Sequence, residues 1–271
     1  LTSRVWFITG ASRGFGREWT LGVLRRGGRV AACARDTAPI EEIRDEFGDA
    51  VLPLTLDVTD RAAVATAIAA TVERFGQIDV VVNNAGYGQY GFVEEVSEDE
   101  IRAQMDTNFF GAVWVTQAAL PYLRRQRSGH IVQVTSTAGL VTAADVGVYS
   151  ASKYALEGIS EALAAEVRPL GIHVTMIEPG LYDTGFAAQA KRATAIADYA
   201  DAHAQANEAL GEILGAASDP ADTVESLLAI VDAKVPPLRL LMGPGMFSLV
   251  KSVYDERIEE WSSRSGTGEE S

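Results

Sequence analysis

Short apolar runs rich in Val, Ile and Ala recur along the chain, separated by longer stretches in which apolar residues return with helical spacing. The first kind reads as buried strands and the second as amphipathic helices laid over them. Strands are predicted at Val5–Thr9, Arg29–Ala34, 51–56, 79–83, 130–135, 173–177 and Arg239–Met242. Helices are predicted at 14–26, Ala38–Phe47, Arg61–Phe75, 98–127 with a bend, and 149–168. Gly27 and Gly28 stop the first helix, and Pro169 and Gly171 stop the last. Regular alternation of strand and helix predicts an α/β fold, a doubly wound parallel sheet with helices on both faces. No internal repeat or linker divides it, so a single domain is expected.

The regularity lapses over 182–217, which is Ala-rich, polar and weakly amphipathic, with larger apolar groups at Phe186, Ile196, Tyr199, Leu210, Ile213 and Leu214. An insertion of that length in a compact domain is expected to cover a substrate site; the alternative is a peripheral helix pair. Asp219 then caps a helix with Pro220 at its first position. Residues 1–245 are read as the catalytic domain with its cover, and 246–271 as a helical extension carrying Phe247, Ile258 and Trp261, ending in an acidic tail with Glu269 and Glu270.

Composition narrows the function. With 47% apolar and 22% charged residues, the chain of 271 describes a globular protein with a sizeable core. A net charge of −14 disfavours nonspecific nucleic-acid binding, so a phosphorylated ligand must find a local basic pocket. Cys33 is the single cysteine and forms no intramolecular disulfide. No apolar run approaches the ~20 residues of a membrane span, and 1–7 lacks the pattern of a secretory signal, so a cytoplasmic protein is expected. His130, His173 and His203 are far apart in sequence, and no metal site is expected.

Between the first strand and first helix lies Thr9-Gly10-Ala11-Ser12-Arg13-Gly14-Phe15-Gly16. A glycine-rich turn in that position suits a dinucleotide: Gly10 permits the tight turn, Gly14 lets backbone approach a pyrophosphate, and Gly16 lets the helix pack closely. The helix N-terminus offers free N–H groups, here from Ser12 to Phe15, to the anion. This Gly-x3-Gly-x-Gly spacing, together with Asn83-Asn84-Ala85-Gly86, Tyr149-x3-Lys153 and Pro179-Gly180, resembles the short-chain dehydrogenase/reductase family over nearly all of 5–242, with retinol- and hydroxysteroid-type members nearest. The resemblance implies a Rossmann-type fold with the cofactor across the carboxyl ends of the strands. It also implies that Asp57 and Val58 contact adenine and that Asn83, Asn84, Ala85 and Gly86 brace the sheet and border the ribose.

The second strand ends Cys33-Ala34-Arg35, with Ala34 where NAD-preferring relatives carry an acid. Arg35 and Arg13 would grip a 2′-phosphate, so NADP(H) is the expected cofactor; Asp36 is the one acid that could serve a ribose hydroxyl instead. For hydride transfer to a carbonyl the site needs an acid with reach. Tyr149 and Lys153, four apart on a helix, supply it, the ammonium being expected to lower the phenol's pKa and to hold the nicotinamide ribose. By the same resemblance Ser136 aligns the substrate oxygen and Asn108 completes a tetrad by holding a relay water. Pro179, Gly180, Tyr182 and Thr184 border the nicotinamide, Tyr182 replacing a small branched residue. Pocket walls are expected from Tyr87, Tyr90, Val141, Thr142, Val146, Tyr182 and Phe186. The implied activity is oxidoreduction of a small-molecule carbonyl or alcohol, lipophilic in character. The competing readings are a 3-oxoacyl-thioester reductase, disfavoured by the negative charge, and a nonenzymatic NADP(H) sensor, which would not need both Tyr149 and Lys153. Family members pair through long helices, so a homodimer or homotetramer is expected.

Overall fold

The computed structural model describes residues 4–214 and 217–264. The acidic tail at 265–271, with Glu269 and Glu270, lies outside the described residues, as do the side chains of Leu210, Ile213 and Leu214. In chain order the elements are β1 (Val5–Thr9), α1 (Gly14–Arg25), β2 (Arg29–Ala34), α2 (Ala38–Phe47), β3 (Val51–Thr55), α3 (Arg61–Phe75), β4 (Val80–Asn83), β5 (Gln89–Tyr90), α4 (Glu98–Met105), α5 (Gly111–Gln126), β6 (Gly129–Val134), α6 (Gly147–Val167), β7 (Ile172–Pro179), β8 (Lys191–Arg192), α7 (Ala200–Leu214), α8 (Val224–Asp232), β9 (Arg239–Met242) and α9 (Met246–Arg264).

Seven strands form one parallel sheet in the order β3-β2-β1-β4-β6-β7-β9. The continuous apolar runs follow from burial on both faces. In β1, Trp6 and Ile8 join the core beneath α1, α2 and α8, while Val5 and Phe7 join the core beneath α3, α5 and α6. After winding outward from β1 to β3, the chain returns to place β4 on the other side of β1. That reversal opens a crevice at the carboxyl ends of β1 and β4, where ligands bind in this architecture.

The expected bend in 98–127 is a π-helical turn at Asp106–Phe110, between α4 and α5. It carries Asn108, which is buried. A π turn inserts one residue into the helical ladder and thereby rotates α5 relative to α4. Helix α6 starts at Gly147, two residues earlier than expected, which puts Tyr149 in its first turn. Strand β7 continues past 177 to Pro179.

The stretch 182–217 is more regular than its composition suggested. Strand β8 pairs in parallel with β5, and α7 comes after it. His203 of α7 stacks on Phe92 at 4.1 Å and bonds through Nε2 to the buried Glu95 carboxylate at 2.7 Å. Glu95 also accepts the N–H of Ile196 at 2.8 Å. On β8, Arg192 pairs with the buried Asp145 at 3.2 Å. At the far end, α9 is held by Arg257, which donates to the Leu140 carbonyl at 3.1 Å. Asp219 caps as expected, accepting the Ala221 N–H at 2.8 Å.

Candidate active site

The crevice is built by stitching the ends of β1 and β4 together. The Thr9 hydroxyl accepts the N–H groups of Asn84 and Ala85, each at 3.0 Å. The Asn84 amide in turn donates to the carbonyls of Thr9 at 2.9 Å and Gly10 at 3.1 Å. Gly10 turns the chain with φ +66°, a conformation glycine adopts without steric penalty. Gly16 lets α1 approach: a Cβ there would stand 2.3 Å from the Gly10 oxygen. At Gly14 the close neighbour is Thr184, 2.8 Å from an added Cβ, so the segment after β7 crosses over the glycine turn. Arg13, which precedes α1, makes no side-chain capping bond, leaving the first-turn N–H groups to the crevice.

The crevice has a volume of about 410 Å³. It gathers Gly10, Ser12, Arg13, Gly14, Phe15, Arg35, Asp57, Val58, Asn84, Ala85, Gly86 and Thr184, all expected cofactor residues. Thr107 and Gln189 also line it; neither carries a motif, and only the fold brings them there. Asp36 lies at the same end but gives one carboxylate oxygen to the Ala38 N–H at 3.0 Å, which turns it toward α2. The Asp57 carboxyl is held below its usual range: burial opposes this, and the N–H and hydroxyl of Thr59, with Arg35 nearby, prevail.

Six expected cofactor residues do not line the crevice: Gly16, Pro179, Gly180 and Tyr182, and also Tyr149 and Lys153, which stand beyond Gly86. Gly16 lies beneath the turn, where its part is packing. Pro179 and Gly180 sit at the end of β7, the Pro179 carbonyl accepting the hydroxyls of Ser136 at 3.4 Å and Thr137 at 3.1 Å. Gly180 is covered by Met246 of α9. The Tyr182 ring, expected on the pocket side, instead packs edge-on against Phe15 at 5.1 Å and joins the core under α1. Aromatic partners on α1 offered it more buried contact than the open crevice. The isolated bridge from Tyr182 to Ser218 holds the backbone in that position.

Beyond Gly86 the crevice meets the four chemistry-bearing residues. A Cβ on Gly86 would stand 3.1 Å from Asn108 Oδ1 and 3.8 Å from Lys153 Nζ. Asn108 donates to the Tyr87 carbonyl at 3.0 Å and to Ser152 Oγ at 3.1 Å, and accepts the Tyr87 N–H at 3.1 Å. Its side chain therefore clamps the loop after β4 to α6. Lys153 is buried and donates to the Val134 carbonyl at 2.8 Å. Its Nζ lies 5.9 Å from the centre of the Tyr149 ring. Ser136, whose hydroxyl donates to the Pro179 carbonyl, also lies near enough to the Tyr149 phenol to pull its pKa down against burial. Phe186, which lines the crevice, packs on the Tyr149 ring at 5.5 Å.

Electrostatics correct one expectation. Burial pushes the Tyr149 phenol up to about 12, against the nearby Ser136 hydroxyl. Lys153 does not offset this, because burial lowers the lysine itself to about 8 while Glu157 resists that fall. Desolvation, which a sequence does not display, outweighs the nearby cation. Among the described residues, no group of three or more His, Cys, Asp or Glu side chains could hold a metal ion. None of the described helices is long and apolar enough to cross a membrane.

A seven-stranded doubly wound sheet with a glycine turn at its switch point defines a dinucleotide-binding protein. The chain belongs to the short-chain dehydrogenase family, whose model matches residues 4–195. It is 38% identical over 269 residues to "Oxidoreductase BOA17" of Botryotinia fuckeliana, covering 96% of this chain and 98% of that one. It is 35% identical to "3-ketodihydrosphingosine reductase" of Bacteroides thetaiotaomicron, covering 95% of each. A solved short-chain dehydrogenase from Streptomyces avermitilis superposes with a TM-score of 0.91 at 32% identity, over 99% of both chains. Solved chains of the same fold hold NADP in one case, NADPH in another and NAD in a third.

Proposed function

We propose that this oxidoreductase is NADP(H)-dependent and moves a hydride between the nicotinamide and a lipophilic ketone, aldehyde or secondary alcohol. The observation that carries the reading is one crevice that gathers Arg13, Arg35, the glycine turn and Gly86, with Gly86 beside Lys153 and Asn108. The residues present fit the cofactor: uncapped N–H groups at α1 suit the pyrophosphate, and two exposed guanidiniums suit a 2′-phosphate. Asp57, Val58, Asn84 and Ala85 would border the adenosine half, and Thr184 and Gly86 the other. Bound there, the nicotinamide supplies or accepts the hydride.

The chain's own groups manage the proton. At neutral pH the Tyr149 phenol is protonated, the form that donates to the oxygen of a carbonyl being reduced. Ser136 holds that oxygen in line with the phenol. Lys153 would hold the ribose hydroxyls of the bound cofactor, and Asn108 fixes the loop and helix that carry these groups. Phe186, Tyr87 and Tyr90 give the substrate end an aromatic lining, and 182–217 is its cover. The long match to a relative named for reducing a 3-keto lipid supports the lipophilic class.

The test is consumption of NADPH and NADH by the wild type and Tyr149→Phe over aliphatic, aromatic, retinoid, steroid and sphingoid ketones and aldehydes. NADPH is expected to be preferred, and the variant to lose on the order of 10²–10⁴ in rate while folding normally. Binding of NADPH without consumption of any carbonyl would overturn the assignment.

A further inference from the structure

Near Lys153, three carboxylates converge on one guanidinium. Glu157 lies four residues after Lys153 on α6, so the two side chains share a helix face. Gly139 packs against both: a Cβ there would stand 3.2 Å from Glu157 Cγ and 3.2 Å from Lys153 Cβ. Glu178 comes from β7, immediately before Pro179. Arg239, from β9, reaches both acids through Nε, at 3.5 Å from Glu157 and 3.4 Å from Glu178, and donates to Glu161 at 2.9 Å. Glu157 and Glu178 are buried, as is Lys153, whereas Glu161 and part of Arg239 meet solvent.

The cluster is under-supplied with donors. Both Glu157 oxygens and Glu178 Oε1 are sealed from solvent with no hydrogen-bond donor in good geometry. Two buried carboxylates sharing a single Nε–H resist being ionised together. The groups facing Glu157 are Lys153 and Glu161 on its own helix, the Thr135 hydroxyl after β6, Glu178 on β7 and Arg239 on β9. Lys153 and Arg239 are the cations of that set, and among the described residues Glu157 pairs directly with Arg239 while Lys153 donates to the Val134 carbonyl.

We propose that Glu157 is a positioning residue for Lys153, its carboxylate keeping the buried ammonium charged, and that Glu178 and Arg239 behind it govern how much charge Glu157 carries. The importance of this charge for turnover rests on the function proposed for Lys153; the electrostatic linkage itself does not. The directions agree: Glu157 raises Lys153 against burial, and burial with mutual repulsion raises both acids, Glu178 to about 7. Removing the carboxylate therefore lets Lys153 lose its proton at lower pH. Since the ammonium is the working form, activity should then decline earlier as pH rises.

The chain has only four lysines, Lys153, Lys191, Lys234 and Lys251, so the Lys153 titration can be followed by NMR of ¹³C-lysine protein, assigned with Lys153→Met. Glu157→Gln is expected to lower that titration by about one pH unit and the alkaline limb of kcat/KM with it, and Glu157→Asp to restore part of the shift. Arg239→Met leaves Glu157 in place but makes it hold its proton, so the Lys153 titration should fall in the same sense; this arm serves if Glu157→Gln does not fold. Glu178→Gln, which removes only the rival acid, should not lower it. An unmoved Lys153 titration in folded Glu157→Gln or Arg239→Met would overturn the proposal, whatever the activity. A shifted titration in a protein that reduces no carbonyl would uphold the linkage and sink the proposed function instead.

Discussion

Gly16→Ala measures how tightly the glycine turn is built. The added Cβ would lie 2.3 Å from the Gly10 oxygen, 2.9 Å from the Gly10 carbonyl carbon and 2.7 Å from Asn84 Nδ2. Two of these are backbone, so relief requires moving the turn or α1. Overpacking of this kind costs about 1–3 kcal/mol. Displacing Asn84 also strains its bonds to Thr9 and Gly10, at about 1 kcal/mol each. Against this, alanine favours a helix over glycine by about 1 kcal/mol. The net expectation is a loss of about 2–4 kcal/mol, read as a fall of roughly 4–8 °C in the thermal midpoint. Gly158→Ala is the control: Gly158 is exposed on α6 with no atom within 4 Å of an added Cβ, so that variant should gain about 0.5–1 kcal/mol. Circular dichroism melts, with NADPH fluorescence titrations alongside, read both. A Gly16→Ala protein that melts and binds nucleotide like the wild type would refute the claim that α1 is locked against the turn.

Arg35→Ala should weaken NADPH binding by about 10- to 100-fold through loss of charge-assisted bonds while leaving NADH nearly unchanged; equal losses for both nucleotides would remove Arg35 from phosphate recognition. Glu178→Gln should stabilise the protein at pH 8 and change little at pH 5. The folded carboxyl is raised from 4.5 to about 7, so its stabilising effect is complete below the unfolded value and is lost as pH climbs through 7, a difference of about 3 kcal/mol at most; denaturant melts at the two pH values decide. His130 is buried and neutral, lowered by burial to about 3, with Nε2 bonded to Thr175 at 2.9 Å. Its contribution is present above its unfolded value and lost as pH falls toward 3, so His130→Leu should flatten the acid side of the stability profile; an unchanged acid limb would count against it. His203→Ala should free α7 from Glu95 and Phe92 and speed limited proteolysis within 200–208 by on the order of tenfold without abolishing a cooperative melt; unchanged cleavage would show that other contacts hold the helix.

The legible parts of the molecule were those in which a residue type answers a backbone demand. Strands buried on both faces wrote themselves as unbroken apolar runs, and Gly10 and Gly16 mark places where a side chain has no room. Tyr149 and Lys153 announced themselves by helical spacing. The hidden parts depend on which residues face one another across the fold. Tyr182 turned to Phe15 because α1 offered aromatic partners that sequence distance conceals. Asn108 became a clamp because a π turn aimed it at Tyr87 and Ser152. The phenol's upward shift, opposite to expectation, reflects burial that no spacing rule reports. Glu157 and Glu178 read as ordinary carboxylates until β7, β9 and α6 bring them onto Arg239.

The charge balance gives the crevice its meaning. In a chain carrying −14, Arg4, Arg17, Arg26, Arg44, Arg74, Arg102, Arg192, Arg239 and Lys251 stand in ion pairs, nine of the 23 lysines and arginines. Arg13 and Arg35 form none among the described residues, although Asp36 and Asp57 line the same crevice. Each of those acids is occupied locally, Asp36 by the N–H of Ala38 and Asp57 by Thr59. The turn chemistry thus engages both carboxylates, while Arg35 remains near enough to Asp57 to help hold its pKa down. An anion arriving from solution would meet two guanidiniums with no carboxylate paired to them, and the proposed recognition of a 2′-phosphate rests on that arrangement.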